Sequence, residues 1–237
     1  MNSSIALVTG ANKGIGLEIA RQLAQQDYTV YIGSRRAESA EQAAHEIGGN
    51  ARPLLLDVTD PAGIAAAAQQ IDVLDVLVNN AGVSPAEPRP AQDEDVETFR
   101  RVFETNVFGV VAVTNAFLPA LRRSAHPRII NLSSGTASLT WSSSGPMAAY
   151  QGGYASYRAS KTALNALTVF YAQSLAADGI KVNALAPGLR RTDLNSTATE
   201  TGGDPAEAAE AVVRLASLPD DGPTGQYVNW DATPIPW

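Results

Sequence analysis

Tyr157 and Lys161 form the clearest chemical pattern in this sequence. They stand four residues apart, and on a helix residues at that spacing share a face, so the lysine ammonium can approach the phenol. A free phenol has a pKa of about 10 and is a poor base at neutral pH. A cation about 4 Å away, at an effective dielectric constant of about 20, stabilises the charged phenolate by about 4 kcal/mol. The spacing therefore predicts that Lys161 lowers the pKa of Tyr157, before desolvation opposes this, and that the pair exchanges protons near neutral pH.

Three other tyrosines lie near enough in the sequence to be compared with this pair. Tyr154 competes as a candidate, but its partner four residues on is Arg158 rather than a lysine. Tyr150 and Tyr171 have no cation at that spacing, which favours packing and a hydroxyl hydrogen bond for both. Tyr157 is thus the predicted acid–base group.

Two other kinds of catalytic site are not supported. Ser133 and Ser134 end a predicted strand, but no histidine base with an acidic partner accompanies them, which argues against a hydrolase triad. The only histidines are His45, in an alanine-rich helical stretch, and His126, in a loop, and cysteine is absent. Both histidines are expected to be solvated, and no metal site is predicted.

A second constellation lies near the start of the chain, where three glycines, Gly10, Gly14 and Gly16, follow the apolar run 5–8. Apolar residues then recur at helical spacing, so the segment reads as strand, glycine turn and helix. Glycine lets the backbone turn tightly and leaves room for a phosphate. The N-terminus of the helix, near Lys13, would present free N–H groups and a positive dipole end to that anion. The stretch predicts a phosphate-binding cradle.

Strands and helices alternate along the rest of the chain, which predicts a parallel sheet covered on both faces. The expected architecture is a single α/β domain, 1–237: a doubly wound, mainly parallel seven-stranded sheet in a three-layer sandwich. Ligands of such sheets bind outside the carboxyl ends of the strands. The predicted strands are 5–8, 28–33, 53–56, 73–78, 128–132, 181–186 and 226–229. The first predicted helix begins near residue 13, and the others cover 37–47, 61–71, 93–123, 155–177 and 205–218.

Composition limits the partners and the compartment. The chain has 17 Lys and Arg against 24 Asp and Glu, a net charge of −7, which argues against a nucleic-acid surface. No secretory signal or membrane-spanning run is recognised. The absence of cysteine fits a reducing compartment, so a cytoplasmic protein without a membrane partner is expected.

These motifs together resemble those of the short-chain dehydrogenase/reductase family, in its classical branch. The glycine turn reads Thr-Gly-x-x-x-Gly-x-Gly from Thr9, and Asn-Asn-Ala-Gly at 79–82 follows the fourth predicted strand. Tyr-x-x-x-Lys at 157–161 and Pro-Gly-x-x-x-Thr at 187–192 complete the set. The resemblance covers about 4–229, and Lys13 followed by Gly-Ile-Gly-Leu-Glu-Ile-Ala is most similar to the carbonyl-reductase-type members. It implies a Rossmann-type fold and hydride transfer between a nicotinamide cofactor and a carbonyl or alcohol.

The resemblance also assigns roles to individual residues. Tyr157 would donate a proton to the substrate oxygen, which Ser134 would hold, with Ser133 kept as the alternative serine. Lys161 would hold the cofactor ribose and, with a water held by the helix-kinking Asn106, return the proton. The predicted cofactor-binding residues are Gly10, Asn12, Lys13, Gly14, Ile15, Gly16, Arg35, Arg36, Asp57, Val58, Asn80, Ala81, Gly82, Tyr157, Lys161, Pro187, Gly188, Leu189 and Thr192.

The end of the second predicted strand favours NADPH/NADP+ over NAD. An acid there would bind the ribose 2′-hydroxyl of NAD, but the sequence continues with Arg35 and Arg36. Arginine forks and Lys13 suit a 2′-phosphate. The alternative is that both arginines are solvated turn residues. The predicted activity is NADPH-dependent reduction of a small-molecule ketone or aldehyde; an NAD-linked alcohol dehydrogenase and a non-catalytic NADP(H) sensor are the rivals.

Two segments depart from the family pattern. Residues 135–153 form an insertion ahead of the catalytic tyrosine, with Trp141 and Tyr150 among its apolar side chains. It lines a substrate pocket or forms a surface flap, and the sequence favours neither. The tail 230–237 packs either on a neighbouring subunit or on its own domain. The family often forms dimers or tetramers through its long helices, so a homodimer or homotetramer is possible unless the insertion blocks that contact.

Overall fold

The computed structural model describes residues 4–194 and 201–237. Its seven strands form one sheet in the order β3-β2-β1-β4-β5-β6-β7, and every neighbouring pair is parallel. The predicted doubly wound sheet is confirmed, with its topological switch point between β1 and β4. The strands are β1 Ile5–Thr9, β2 Thr29–Ser34, β3 Ala51–Leu55, β4 Val76–Asn79, β5 Arg128–Leu132, β6 Lys181–Ala186 and β7 Tyr227–Asn229.

Helices cover both faces of this sheet. The α-helices in the described part of the chain are α1 Gly14–Gln25, α2 Ala37–Ile47, α3 Pro61–Ala68, α4 Val96–Phe103, α5 Gly109–Leu121, α6 Leu139–Ser144, α7 Ala155–Ser174 and α8 Pro205–Ala216. A π-helical segment, Glu104–Phe108, joins α4 to α5, and single 3₁₀ turns occupy Ala91–Asp93, Gly135–Ala137, Pro146–Tyr150 and Ala176–Asp178.

Boundary differences from the sequence prediction have local causes. β3 begins at Ala51 rather than at Pro53, because β3 is an edge strand and tolerates a residue without an N–H donor. The prediction of strand structure from residue 73 is wrong, since β4 begins at Val76. The carboxylate of Asp75 instead accepts a hydrogen bond from the N–H of Ile5, at 2.7 Å.

The strand residues alternate between two hydrophobic cores. On one face, Val8 and Ile32 pack with α1 and α8. On the other face, Leu7, Leu77 and Ile129 pack with residues of α3 and α5. Alternation along parallel strands that are buried on both sides produces the three layers, and it leaves the carboxyl ends of the strands free to carry a site.

One helical run is unusually apolar. The 26 residues Val96–Leu121 have a mean hydropathy of 1.3 in their most apolar window, so by length and composition this run could cross a membrane, contrary to the expectation from the sequence. Its side chains Val113, Phe117 and Leu121 are fully buried against the sheet. Core packing therefore accounts for the apolar composition of this run.

Candidate active site

The glycine turn after β1 has the shape of an anion cradle. Gly10 and Gly14 have positive φ values of +64° and +59°. A Cβ at Gly10 would lie 3.0 Å from the Cα of Ala81, and one at Gly16 would lie 2.6 Å from the carbonyl oxygen of Gly10. α1 begins at Gly14 with no side-chain cap and no acid in its first turn. Its N–H groups are therefore available to a phosphate, and the turn fits a dinucleotide.

Asn80 holds this turn in place. Its amide Nδ2 donates to the carbonyl oxygens of Thr9, at 2.8 Å, and of Gly10, at 3.2 Å. The hydroxyl of Thr9 in turn accepts from the N–H groups of Asn80 and Ala81, at 3.0 Å each. The amide nitrogen and the main-chain N–H of Asn80 are thus committed to the protein, which leaves its oxygen atoms for the predicted cofactor contact.

The three predicted phosphate-binding cations are all exposed but differ in their partners. Lys13 pairs with Asp193 at 2.7 Å across the cleft between the glycine turn and the segment that follows β6. Arg36 precedes α2 and lies 3.6 Å from Glu38. Within the described part of the chain, the guanidinium of Arg35 makes no hydrogen bond or ion pair. Arg35 is therefore the cation best placed to receive a new anion.

Asp57 and Val58, two of the predicted cofactor-binding residues, follow β3. Asp57 accepts from both the N–H and the hydroxyl of Thr59, at 2.9 and 2.8 Å, through the same oxygen Oδ1. This turn leaves the second carboxylate oxygen without a partner among the described residues. Val58 is nearly buried, and its carbonyl oxygen would lie 2.9 Å from a Cβ at Gly109.

Tyr157 and Lys161 lie together at the end of β5, as their spacing predicts. The Nζ of Lys161 lies 5.8 Å from the centre of the Tyr157 ring and donates to the carbonyl oxygen of Leu132 at 2.7 Å. Lys161 is 4% exposed, and burial lowers the pKa of its ammonium to about 8. The helix therefore brings the pair together, with the ammonium directed at a backbone carbonyl rather than at the phenol oxygen.

The predicted lowering of the Tyr157 pKa is wrong for this structure. Burial raises the pKa of Tyr157, because desolvation disfavours the phenolate, and a hydrogen bond with Ser134 opposes this only in part. Helical spacing identified the neighbour, but it does not determine the burial of the phenol or the direction of the ammonium.

The structure distinguishes the two serines. Ser133 is buried and donates to Oδ1 of Asn165 at 2.6 Å, so its hydroxyl is occupied. Ser134 is partly exposed, bonds to Tyr157, and places its Oγ 2.9 Å from the hydroxyl of Thr136. This geometry favours Ser134 over Ser133 as the serine that meets a substrate.

Asn106 lies in the π-helical segment between α4 and α5, and such segments often mark functional sites. Its side chain is fully buried, accepts from the N–H of Val83 at 2.8 Å and donates to the carbonyl oxygen of Val83 at 2.9 Å. Its Nδ2 also lies 3.0 Å from the hydroxyl of Ser160. A Cβ at Gly82 would lie 3.4 Å from both Asn106 Oδ1 and Lys161 Nζ, so the segment after β4 meets α7 here.

The segment after β6 folds back over the glycine turn. Gly188, which follows Pro187, has a φ of +73°, and the Thr192 methyl group would lie 3.3 Å from a Cβ at Gly14. Leu189 is exposed. The predicted cofactor-binding segment 187–192 therefore lies next to the predicted phosphate cradle.

Glu94 supports the site but was not singled out by any sequence motif. Three acids at 93–95 stand at the start of the predicted helix 93–123, where acids are expected to cap the helix, and Asp95 does so by accepting from the N–H of Thr98 at 2.7 Å. Glu94 instead accepts from the N–H and the hydroxyl of Ser156, at 2.9 and 2.5 Å. Tyr154, at the N-cap position of α7, has a left-handed φ of +58° and makes no side-chain cap bond. Glu94 satisfies the start of α7 in its place. One acid is enough to cap α4, so the additional acids at 93 and 94 were the only indication in the sequence that Glu94 has another partner.

The insertion and the tail pack against each other. The indole of Trp141 lies against Gly135, and the Tyr150 ring makes an edge contact with Tyr154, at 6.3 Å between centroids. The main-chain oxygen of Trp237 accepts from the N–H of Thr140 at 3.1 Å. Of the two expectations for the tail, packing on its own chain is the one observed.

Comparison with known proteins identifies the family. The family model for short chain dehydrogenases matches residues 4–202. A short-chain dehydrogenase of Penicillium roqueforti, anuI, is 34% identical over 226 residues, which cover 90% of this chain and 88% of that protein.

Two similar solved structures differ in cofactor. The NADPH-bound carbonyl reductase from chicken fatty liver is 29% identical, with a TM-score of 0.84, and the match covers 100% of both chains. A 3-ketoacyl-(acyl-carrier-protein) reductase from Brucella melitensis, complexed with NADH, is 28% identical with a TM-score of 0.84, covering 95% of this chain and 96% of that one. The resemblance inferred from the motifs is confirmed: this chain belongs to the short-chain dehydrogenase/reductase family of oxidoreductases and is carbonyl-reductase-like.

Proposed function

We propose that this protein reduces a ketone or aldehyde to an alcohol with NADPH. The observation that carries the proposal is the convergence of Ser134, Tyr157 and Lys161 at the carboxyl end of β5, beside the glycine cradle. The proposal assigns cofactor and substrate to one domain, 1–237, acting in the cytoplasm. Phe108 and Phe170, 57% and 60% exposed on the helices that flank the site, support association into a homodimer or homotetramer.

NADPH, when bound, supplies a hydride to the carbonyl carbon and leaves as NADP+. Ser134 then holds the carbonyl oxygen, and Tyr157 donates its phenolic proton to it, so that an alcohol forms. With its pKa raised, Tyr157 carries its proton at neutral pH but is a weak acid, and it gives that proton to the strongly basic alkoxide oxygen that hydride transfer creates. The phenolate left behind is stabilised by the Lys161 ammonium next to its ring, and a proton from water restores the phenol.

The preference for NADPH rests on charge. β2 ends without an acid, Arg35 is exposed, and Lys13 lies at the glycine turn. The bond from Lys13 to Asp193 joins two exposed groups, and such pairs contribute about 0–1 kcal/mol. A 2′-phosphate can therefore displace Asp193 at small cost.

The proposal is tested by incubating the protein with NADPH and panels of aldehydes, ketones, quinones and ketoesters. With NADPH deuterated at the transferred position, the product must carry deuterium at the carbinol carbon. Tight NADPH binding without turnover of any panel member would instead favour the sensor, and turnover only with NADH would favour the NAD-linked dehydrogenase.

We expect kcat/KM for NADPH to fall as the pH rises through about 8. The Lys161 ammonium has its pKa lowered to about 8, so it is charged below that pH and neutral above it. Only the charged form stabilises the phenolate and holds the ribose, and kcat/KM reports the ionisation of the free enzyme. A profile that stays flat to about pH 9.5 would contradict a functional role for this ionisation.

A further inference from the structure

Tyr227, on the edge strand β7, contacts the main chain of Ser134, the proposed catalytic serine. Its side chain is 3% exposed, and its hydroxyl donates to the main-chain carbonyl oxygen of Ser134. Burial raises the pKa of this phenol, so it remains a donor throughout the working pH range. The same carbonyl oxygen accepts from the N–H of Ala137 at 2.9 Å, within the 3₁₀ turn that follows. These two donors fix the orientation of the peptide group that follows Ser134, and with it the Cα from which the Ser134 hydroxyl projects.

The tail holds Tyr227 in turn. Its ring stacks on that of Trp237, with 5.4 Å between centroids and 25° between planes. The N–H of Ile235 donates to the carbonyl oxygen of Tyr227 at 2.9 Å, and Ile235 is 4% exposed. The tail therefore packs on and bonds to β7, the strand from which Tyr227 projects.

The tail also bonds to the segment 138–140, which follows Ser134 in the chain. The hydroxyl of Ser138 donates to the carbonyl oxygen of Pro236 at 2.5 Å, and the N–H and hydroxyl of Thr140 both donate to the main-chain oxygen of Trp237, at 3.1 and 2.9 Å. Ser138 precedes α6, so the start of that helix is bonded to the tail. The loop that carries Ser134 is thus held from β7 and from α6 by the same segment.

We propose that Tyr227, held by Trp237, is a positioning residue that sets the orientation of Ser134 for carbonyl reduction. The inference rests on the proposed function, because it assumes that Ser134 holds the substrate oxygen. The Tyr227 hydroxyl donates to the Ser134 carbonyl and also interacts with the side chains of Asn165 and Ser133, none of which belongs to the glycine cradle. Its loss should therefore slow the reaction without weakening cofactor binding.

The test compares Tyr227→Phe with Tyr171→Phe. Tyr227→Phe keeps the stacked ring and removes only the hydroxyl; the control removes a hydroxyl that donates to Asn115 at 2.8 Å, well away along α7. A displacement of about 1 Å at a reacting group can cost about 100-fold, so a looser Ser134 is expected to lower kcat about tenfold. The dissociation constant for NADPH should stay within about twofold, and Tyr171→Phe should leave kcat unchanged.

A double-mutant cycle separates positioning from a general loss of stability. In the Ser134→Ala background, measured by single-turnover reduction, Tyr227→Phe should have no further effect if it acts through Ser134. Trp237→Phe should retain most of the rate that Trp237→Ala loses, since it preserves a stacked ring. Independent, multiplying losses, or a Tyr227→Phe enzyme as fast as the wild type, would overturn the proposal. Failure of the wild type to reduce any carbonyl would instead overturn the proposed function.

Discussion

Replacing Tyr157 by phenylalanine is expected to lower kcat for carbonyl reduction by about 10²–10⁴-fold, the range typical for loss of a general acid. The substitution removes only the proton donor. Its ring still fits beside Lys161, and the glycine cradle is untouched, so NADPH should bind with nearly unchanged affinity. Turnover by steady-state NADPH oxidation and affinity by fluorescence titration measure the two effects separately.

Tyr154→Phe is the matched control for this prediction. Tyr154 lies three residues earlier, its pKa is also raised by burial, and its ring makes an edge contact with Tyr150. Its hydroxyl has no role in the proposed mechanism, so kcat should stay near the wild-type value. An inactive Tyr154→Phe enzyme beside an active Tyr157→Phe enzyme would show that the acid was misassigned.

The sequence was sufficient for the framework because its patterns are local. Alternating strands and helices predict the sheet, and the four-residue spacing predicts that Tyr157 and Lys161 share a helix face. The direction of the Tyr157 pKa shift was predicted wrongly, because burial of the phenol depends on the packing of the whole site.

The supports of the site could not be predicted, since each joins residues far apart in the chain. Glu94 bonds to Ser156 of α7 over a separation of 62 residues, and Tyr227 bonds to Ser134 over 93. The partner of Lys13 is 180 residues away. No spacing rule predicts such pairs. The fold brings them together, because a parallel sheet places the carboxyl ends of strands that are distant in the chain at one edge.

The second large effect concerns cofactor choice at Arg35. The wild type should prefer NADPH to NADH in kcat/KM, because the exposed guanidinium after β2 can bond the 2′-phosphate in two places. A hydrogen bond to a charged group contributes about 1.5–3 kcal/mol, so losing one such bond weakens NADPH binding by about 10- to 150-fold, and Arg35→Asp should weaken it by at least that much. The new carboxylate should also accept from the ribose 2′-hydroxyl of NADH, so that much of the preference reverses.

Arg36→Asp makes the same change of charge one position along and is the control. Arg36 precedes α2 beside Glu38, and its main-chain N–H faces the hydroxyl of Ser34 at 3.4 Å. Its side chain therefore points to the helix start rather than to the strand ends, and its replacement should cost less NADPH affinity than that of Arg35. Measuring kcat/KM with each cofactor for the three proteins decides the matter. A wild type that prefers NADH would remove the charge argument and, with it, the proposal that the enzyme works as an NADPH-dependent reductase.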